Sequence, residues 1–227
     1  LGLKGKVAVI TGASEGIGKA AALSLSKEGA RVAICARRPE LLEAAAQEIR
    51  AGTGGEVLAF PTDVTNAAQV EDFLRKVVET WGGIDILVNN AGGSNANSFE
   101  SVSDEGWQGD LEVKLFGAIR TSRYAIPSMR ARGGGRIINV TMIGGKQPGA
   151  NSVPTSVSRA AGKPHLVRHH NHGHAGFGQL GHHVQHFLDH LRVQRAGRFV
   201  KEHDLGLHGQ GAGNGHPLLL AAGELRR

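Results

Sequence analysis

The chain has 227 residues, 40% of them hydrophobic, and a formal net charge of +6. That length is enough for one α/β domain with a real core. No apolar run approaches the roughly 18 residues that a membrane span needs, and no signal-peptide pattern is present, so no membrane partner is expected. The lone Cys35 falls in an expected buried strand, which makes it a small core residue and a reducing cytoplasm the expected compartment. The charge is unevenly spread. Residues 1–162 carry 18 Lys and Arg against 16 Asp and Glu, whereas residues 163–227 carry 8 against 4 together with all 12 histidines. The second segment contains no Ser, Thr, Ile, Met, Cys, Tyr or Trp. The chain therefore reads as a domain over 1–162 followed by an anomalous tail rich in His, Gly and Arg over 163–227.

In chain order, Val7-Ala8-Val9-Ile10 reads as a buried parallel strand. It runs into Thr11-Gly12-Ala13-Ser14-Glu15-Gly16-Ile17-Gly18 and then a helix from Lys19 to Lys27 that Gly29 closes. Strand, glycine turn and helix together form a dinucleotide-binding pattern. Gly12 permits the tight turn, Gly16 lets the backbone approach a pyrophosphate, and Gly18 lets the helix pack on the strand. Ser14, Glu15 and Ile17 complete the loop, and the free N–H groups of the helix face the anion.

Arg31 to Ala36 reads as a second strand that ends in Arg37-Arg38-Pro39. An acid at this place would hold the ribose 2′-hydroxyl of NAD. Two guanidinium groups suit a 2′-phosphate, which selects NADP over NAD. Pro39 opens a helix to Ile49 with Leu41, Leu42, Ala45, Ala46 and Ile49 on one face. Glu56 to Phe60 is a third strand, followed by Thr62-Asp63-Val64, where Asp63 by itself reads as a helix-start residue. Residues 67–81 form an amphipathic helix with Val70, Phe73, Leu74, Val77, Val78 and Trp81 spaced at three and four.

Ile84 to Val88 is a fourth strand, and it ends in Asn89-Asn90-Ala91-Gly92. The small residues let the backbone approach a cofactor, and the Asn amides can tie neighbouring strands together. A polar loop over 93–102 leads to Ser103-Asp104-Glu105, the start of a long helix to about Arg132 with Leu111, Leu115, Ile119 and Ile126 on its buried face. After Gly133-Gly134-Gly135, Arg136 to Thr141 is strand five. Five strands with four helices between them predict an α/β fold, a Rossmann-like doubly wound parallel sheet whose C-terminal part is truncated or replaced.

Thr-Gly-x-x-x-Gly-Ile-Gly and Asn-Asn-Ala-Gly, at this separation, resemble the short-chain dehydrogenase/reductase family over about residues 3 to 162. The chain is slightly short for that family. The resemblance implies an NAD(P)-dependent oxidoreductase that moves hydride between nicotinamide and a small carbonyl or alcohol. It places Asn90, Ala91 and Gly92 against the cofactor and makes Asp63-Val64 similar to the adenine-contacting site. Glu15 runs against the NADP assignment, because NADP-preferring relatives often carry a basic residue in the glycine loop.

The family's active site is an Asn-Ser-Tyr-Lys set, and the resemblance maps it onto four substituted positions. Met142 falls where the Ser belongs, with Thr141 one residue early and expected on the other face of its strand. Thr155-Ser156-Val157-Ser158-Arg159 resembles the Tyr-x-x-x-Lys helix, with Thr155 for Tyr and Arg159 for Lys. Lys114 stands in place of Asn. A Thr hydroxyl is a far weaker acid than a phenol, Arg159 stays charged, and Met142 offers only a weak acceptor. Lys114 reads either as a helix-surface ammonium or, if buried, as a replacement acid of lowered pKa. Tyr124 lies roughly 15 Å along the same helix from Lys114 and reads as structural. Whether the chain turns over substrate is thus left open, the alternative being a catalytically impaired nucleotide-binding protein, truncated or frameshifted.

Beyond Lys163-Pro164 nothing resembles the family. His182, His186 and His190 would stack at i, i+4 and i+8 on a helix over 182–191, a spacing that can bind Zn or Ni. His170, His172 and His174 form a looser cluster. The narrow alphabet reads instead as GC-rich DNA translated in a wrong frame after Gly162, with a disordered linker as a further alternative. No metal site and no nucleic-acid partner is assigned, and the altered C-terminal part weakens the case for a homo-oligomer.

Overall fold

A computed structural model describes residues 2–149 and 151–162; every expectation for the 163–227 segment, including both histidine clusters, lies outside the described residues. Five parallel strands form the central sheet: β1 (Val7–Thr11), β2 (Arg31–Ala36), β3 (Val57–Pro61), β4 (Ile86–Asn89) and β6 (Arg136–Asn139), in the order β3-β2-β1-β4-β6. A two-residue strand, β5 (Ala96–Asn97), pairs antiparallel with β7 (Val153–Pro154) outside that sheet. The helices are α1 (Gly16–Lys27), α2 (Pro39–Thr53), α3 (Ala67–Trp81), α4 (Asp104–Leu111), α5 (Gly117–Ala131) and α6 (Thr155–Ala161). No helix among the described residues is long and apolar enough to cross a membrane.

The centre of the sheet is buried on both faces, so its strands read as apolar runs without alternation. Val7, Ala8, Val9 and Ile10 are wholly buried. Ala8 and Ile10 pack with Ala22, Leu42, Ala46 and Ile49 under α1 and α2, whereas Val7 and Val9 pack with Val70, Phe73, Val77 and Ala125 under α3 and α5. Cys35 belongs to the second layer, where burial pushes its thiol up to about 12. The order steps outward from β1 to β3, then returns to the other side of β1 at β4. That reversal leaves a crevice at the C-terminal ends of β1 and β4.

The structure departs from the expected elements between residues 93 and 141. The helix expected from 103 to about 132 is broken by a π-helical turn, Glu112–Phe116, between α4 and α5. Its buried face is not Leu111, Leu115, Ile119 and Ile126, all only half-buried, but Asp110, Lys114, Gly117, Ala118, Thr121, Ala125 and Met129. Three of those seven are polar and satisfied by partners across the fold, so hydrophobic periodicity could not find the face. The loop expected over 93–102 contains β5 and a 3₁₀ turn at Phe99–Ser101, and β6 stops at Asn139 rather than Thr141.

Candidate active site

A cleft of about 950 Å³ lies over the crevice between β1 and β4. Its floor is fastened by side chains. Thr11 Oγ1 accepts the N–H groups of Asn90 and Ala91, both at 3.0 Å, and Asn90 Nδ2 donates to the carbonyls of Thr11 (3.0 Å) and Gly12 (2.9 Å). The glycine loop and the Asn-Asn-Ala-Gly turn thus lie directly on one another. A Cβ on Gly12 would stand 2.7 Å from Ala91 Cα, and one on Gly18 would stand 2.5 Å from both Gly12 O and Asn90 Nδ2. Gly18 belongs to this packing and does not line the cleft, whereas Gly12, Ser14, Glu15, Gly16 and Ile17 do.

At the outer end, Arg37 and Arg38 follow β2 and face Asp63 and Val64 after β3. Arg38 Nη2 donates to Glu15 Oε1 at 2.6 Å. Asp63 is not the cap of α3. Asn66 holds that place, accepting from the Ala68 and Gln69 amides, while Asp63 Oδ1 accepts from Thr65 N and Oγ1, both at 2.9 Å. A local turn therefore fixes its carboxylate at the mouth of the cleft.

At the inner end the structure assembles Lys114, Thr155 and Arg159 around the Asn90-Ala91-Gly92 turn. Lys114 is buried and not a surface ammonium; its Nζ donates to Asp110 Oδ1 and, at 2.8 Å, to Thr155 Oγ1. The other oxygen of Asp110 accepts the Ser158 hydroxyl at 2.6 Å, and Asn95 N donates to Thr155 Oγ1 at 2.9 Å. Arg159 Nη1 donates to Val140 O at 2.5 Å. A Cβ on Gly92 would come within 2.9 Å of Arg159 Nη2 and 3.0 Å of Lys114 Cγ, so both cations close on this one turn. Burial lowers the Lys114 pKa, Asp110 opposes, and Arg159 adds to the lowering. Burial likewise lowers Arg159, against Asp110.

Thr141 and Met142 both line the cleft. They follow the end of β6, so strand alternation does not separate them. Met142 is exposed, just ahead of the 3₁₀ turn Ile143–Gly145. Tyr124 is away from the cleft, its hydroxyl donating to Glu71 at 3.1 Å.

Asp110, Ser158 and Asn95 were not legible as site residues. Asp110 lies four before Lys114 and Ser158 three after Thr155, spacings that put each on its partner's helical face. That signal was available but unspecific. The arrangement has the parts a dinucleotide would need: a glycine loop and helix N-terminus able to take phosphates, two guanidinium groups at one end, and a cation–hydroxyl cluster at the other.

The model of the short chain dehydrogenase family matches residues 6–174, reaching beyond the Gly162 limit of the motifs. The chain is 38% identical over 161 residues to the uncharacterized oxidoreductase YvrD of Bacillus subtilis, covering 71% of this chain and 60% of that one. Among solved structures it resembles the L-sorbose reductase of Gluconobacter frateurii, complexed with NADPH and L-sorbose (40% identity, TM-score 0.69, 71% of this chain and 61% of that one). It also resembles the alcohol dehydrogenase of the archaeon Thermococcus sibiricus, complexed with 5-hydroxy-NADP (34% identity, TM-score 0.67, covering 70% and 67%). The chain thus spans about three fifths of the length of YvrD and of the sorbose reductase. Its two glycine-rich turns, the sheet order that brings them together and the extent of the match have one reading: the chain belongs to the short-chain dehydrogenase family.

Proposed function

We propose that residues 1–162 bind NADP(H) along the cleft and serve slow hydride transfer between nicotinamide and a small carbonyl or alcohol, in the cytoplasm. The observation that carries this reading is the continuity of the cleft, which runs from Arg37 and Arg38 past the glycine loop to Thr155 and Arg159. Arg37 and Arg38 receive the 2′-phosphate, Asp63 and Val64 border the adenine, and the first turn of α1 meets the pyrophosphate. Arg159, anchored on Val140 O, presents its second nitrogen beside Gly92 to the ribose of the nicotinamide half. The relatives bound to NADPH and to 5-hydroxy-NADP support the NADP choice. NADPH, when bound, supplies the hydride.

The chain's own residues must hold the carbonyl and protonate the oxygen that results. General acid catalysis typically contributes about 10²–10⁴ in rate, and the phenol that would supply it is absent. Titrating the protein with NADPH and with a panel of ketones tests both halves of the reading. Tight NADPH binding with slow turnover is the expected result, and no NADPH binding would end it. Binding with no turnover at all would favour a second reading, a nucleotide-binding protein without catalysis. Met142 and Thr155 in the Ser and Tyr places favour that reading.

A further inference from the structure

Thr155 is 2% exposed and lines the inner end of the cleft. A hydroxyl has two lone pairs and one hydrogen. Here both acceptor directions are taken, one by the Asn95 amide at 2.9 Å and one by the Lys114 ammonium at 2.8 Å. The hydroxyl hydrogen has no acceptor among the described residues. It is a buried donor held at the wall of a substrate-sized cleft, and the positive charge behind it strengthens its hydrogen bond to an incoming oxygen.

We infer that Thr155 and Lys114 together replace the missing phenol, the Thr155 hydroxyl holding the substrate oxygen and Lys114 supplying the proton through it. This rests on the NADP(H)-dependent reading above. In the reducing direction the electron pair of the donated hydride forms the new C–H bond, nicotinamide is oxidised and the carbonyl carbon is reduced. The substrate oxygen takes the Thr155 Oγ proton as the C=O π bond breaks. Thr155 Oγ takes a proton from Lys114 Nζ, and neutral Lys114 is recharged from water.

The charged and titratable groups around Lys114 permit this. Asp110 of α4 is fixed by the Ser158 hydroxyl and holds the ammonium in line with Thr155. Arg159 of α6 faces the same turn but cannot give up a proton. Glu105 of α4 lies on the cleft wall. Lys114 is therefore the group of this cluster that can cycle its proton, and its pKa already lies below the ordinary ammonium value because of burial. Thr155 is the catalytic residue of the pair, and Lys114 acts through it.

The test follows single-turnover oxidation of protein-bound NADPH by ethyl pyruvate, an activated α-keto ester, across a pH series. NADPH affinity is measured first on wild type, Thr155→Val, Thr155→Ser and Lys114→Gln. Equal affinities show the cofactor site intact, while loss of NADPH binding by the wild type would sink the functional reading and this inference with it. The wild-type rate should fall as pH rises through the Lys114 pKa. Thr155→Ser should keep both rate and profile. Thr155→Val and Lys114→Gln should lose about 10²-fold and the pH limb. Thr155→Val keeps the side-chain shape while removing the hydroxyl, and with its NADPH affinity unchanged it carries the test should Lys114→Gln fail to fold. With NADPH bound, a wild-type rate no higher than that of Thr155→Val, zero included, overturns the inference.

Discussion

Arg38 Nη2 lies 2.6 Å from Glu15 Oε1, so one of the two cations at the end of β2 is already paired with a carboxylate of the glycine loop. Both side chains are more than half exposed, and such pairs are worth about 0–1 kcal/mol, so a phosphate can displace the carboxylate. Arg37 has no such partner among the described residues. Charge-assisted contacts contribute about 1.5–3 kcal/mol, so NADPH should bind at least about tenfold more tightly than NADH. Arg37→Ala should remove most of that preference. Glu15→Gln should strengthen NADPH binding by a few-fold and leave NADH unchanged. Fluorescence titration reads all three, and equal wild-type affinities for the two cofactors would end the assignment.

Gly16 and Gly18, two residues apart, should fail in different ways when changed to Ala. A methyl group on Gly18 meets the Gly12 carbonyl at 2.5 Å, a backbone atom that cannot swing away. Overpacking of that kind costs about 1–3 kcal/mol, and urea unfolding should show it. Gly16 has nothing within 4 Å of its Cβ position and φ of +59°, so Gly16→Ala costs only about 1–2 kcal/mol of left-handed strain. Its main effect should be on NADPH affinity, because Gly16 lines the cleft and an added methyl meets nothing of the protein there. If Gly16→Ala lowers stability as much as Gly18→Ala while leaving NADPH affinity untouched, the two roles are misassigned.

What the sequence made legible is what neighbouring residues dictate. Gly12, Gly16 and Gly18 declare a glycine loop by their spacing between a strand and a helix, and the run Val7–Ile10 declares a strand buried on both faces. Asp110, Lys114 and Thr121 hid their helix face because each is polar and buried. Partners that make burial tolerable lie far along the chain: Ser158 for Asp110, Thr155 for Lys114, and Asn89 Oδ1 at 2.6 Å for Thr121. Thr11 was legible only as part of a motif. Its hydroxyl, gripping two amides about 80 residues on, depends on strand order rather than on anything local.

Asp85 gives the fold an acid limb. Its carboxylate accepts from the Val7 amide at 2.8 Å and from Arg132 Nε (3.1 Å) and Nη2 (2.9 Å), with Lys6 at 3.5 Å. Burial acts to raise its pKa, but these partners outweigh burial and hold it below the ordinary value of 3.8. A depressed carboxylate adds stability above its unfolded pKa and loses it as pH falls through the folded one. Stability should therefore be flat at neutral pH and fall below about pH 4. Asp85→Asn should lower stability at pH 7 by about 2–4 kcal/mol, since the buried pair is broken from one side, and should flatten the acid limb. Denaturant unfolding at pH 7 and pH 3 checks both; an unchanged acid limb in the variant would remove Asp85 from the account.

Met142→Ser, Thr155→Tyr and Arg159→Lys together recreate three of the family's four positions, yet should reduce ketones no faster than the wild type. Thr155 is enclosed, and its small oxygen is the acceptor for both the Asn95 amide and the Lys114 ammonium. A phenol carries its oxygen several ångströms farther from the backbone, so the substitution leaves a buried ammonium short of an acceptor. Asp110 still pairs with that ammonium, but a lost hydrogen bond to a charged group costs about 1.5–3 kcal/mol, and the larger ring must displace the packing around residue 155. Adding Lys114→Asn removes that ammonium and puts an amide where the family carries one. The carboxylate of Asp110 keeps the Ser158 hydroxyl as a donor. The fourfold variant should exceed the threefold one by at least about tenfold in kcat/KM, within the range that general acid catalysis supplies. A threefold variant already as fast as the fourfold one would show that Lys114 does not obstruct the phenol.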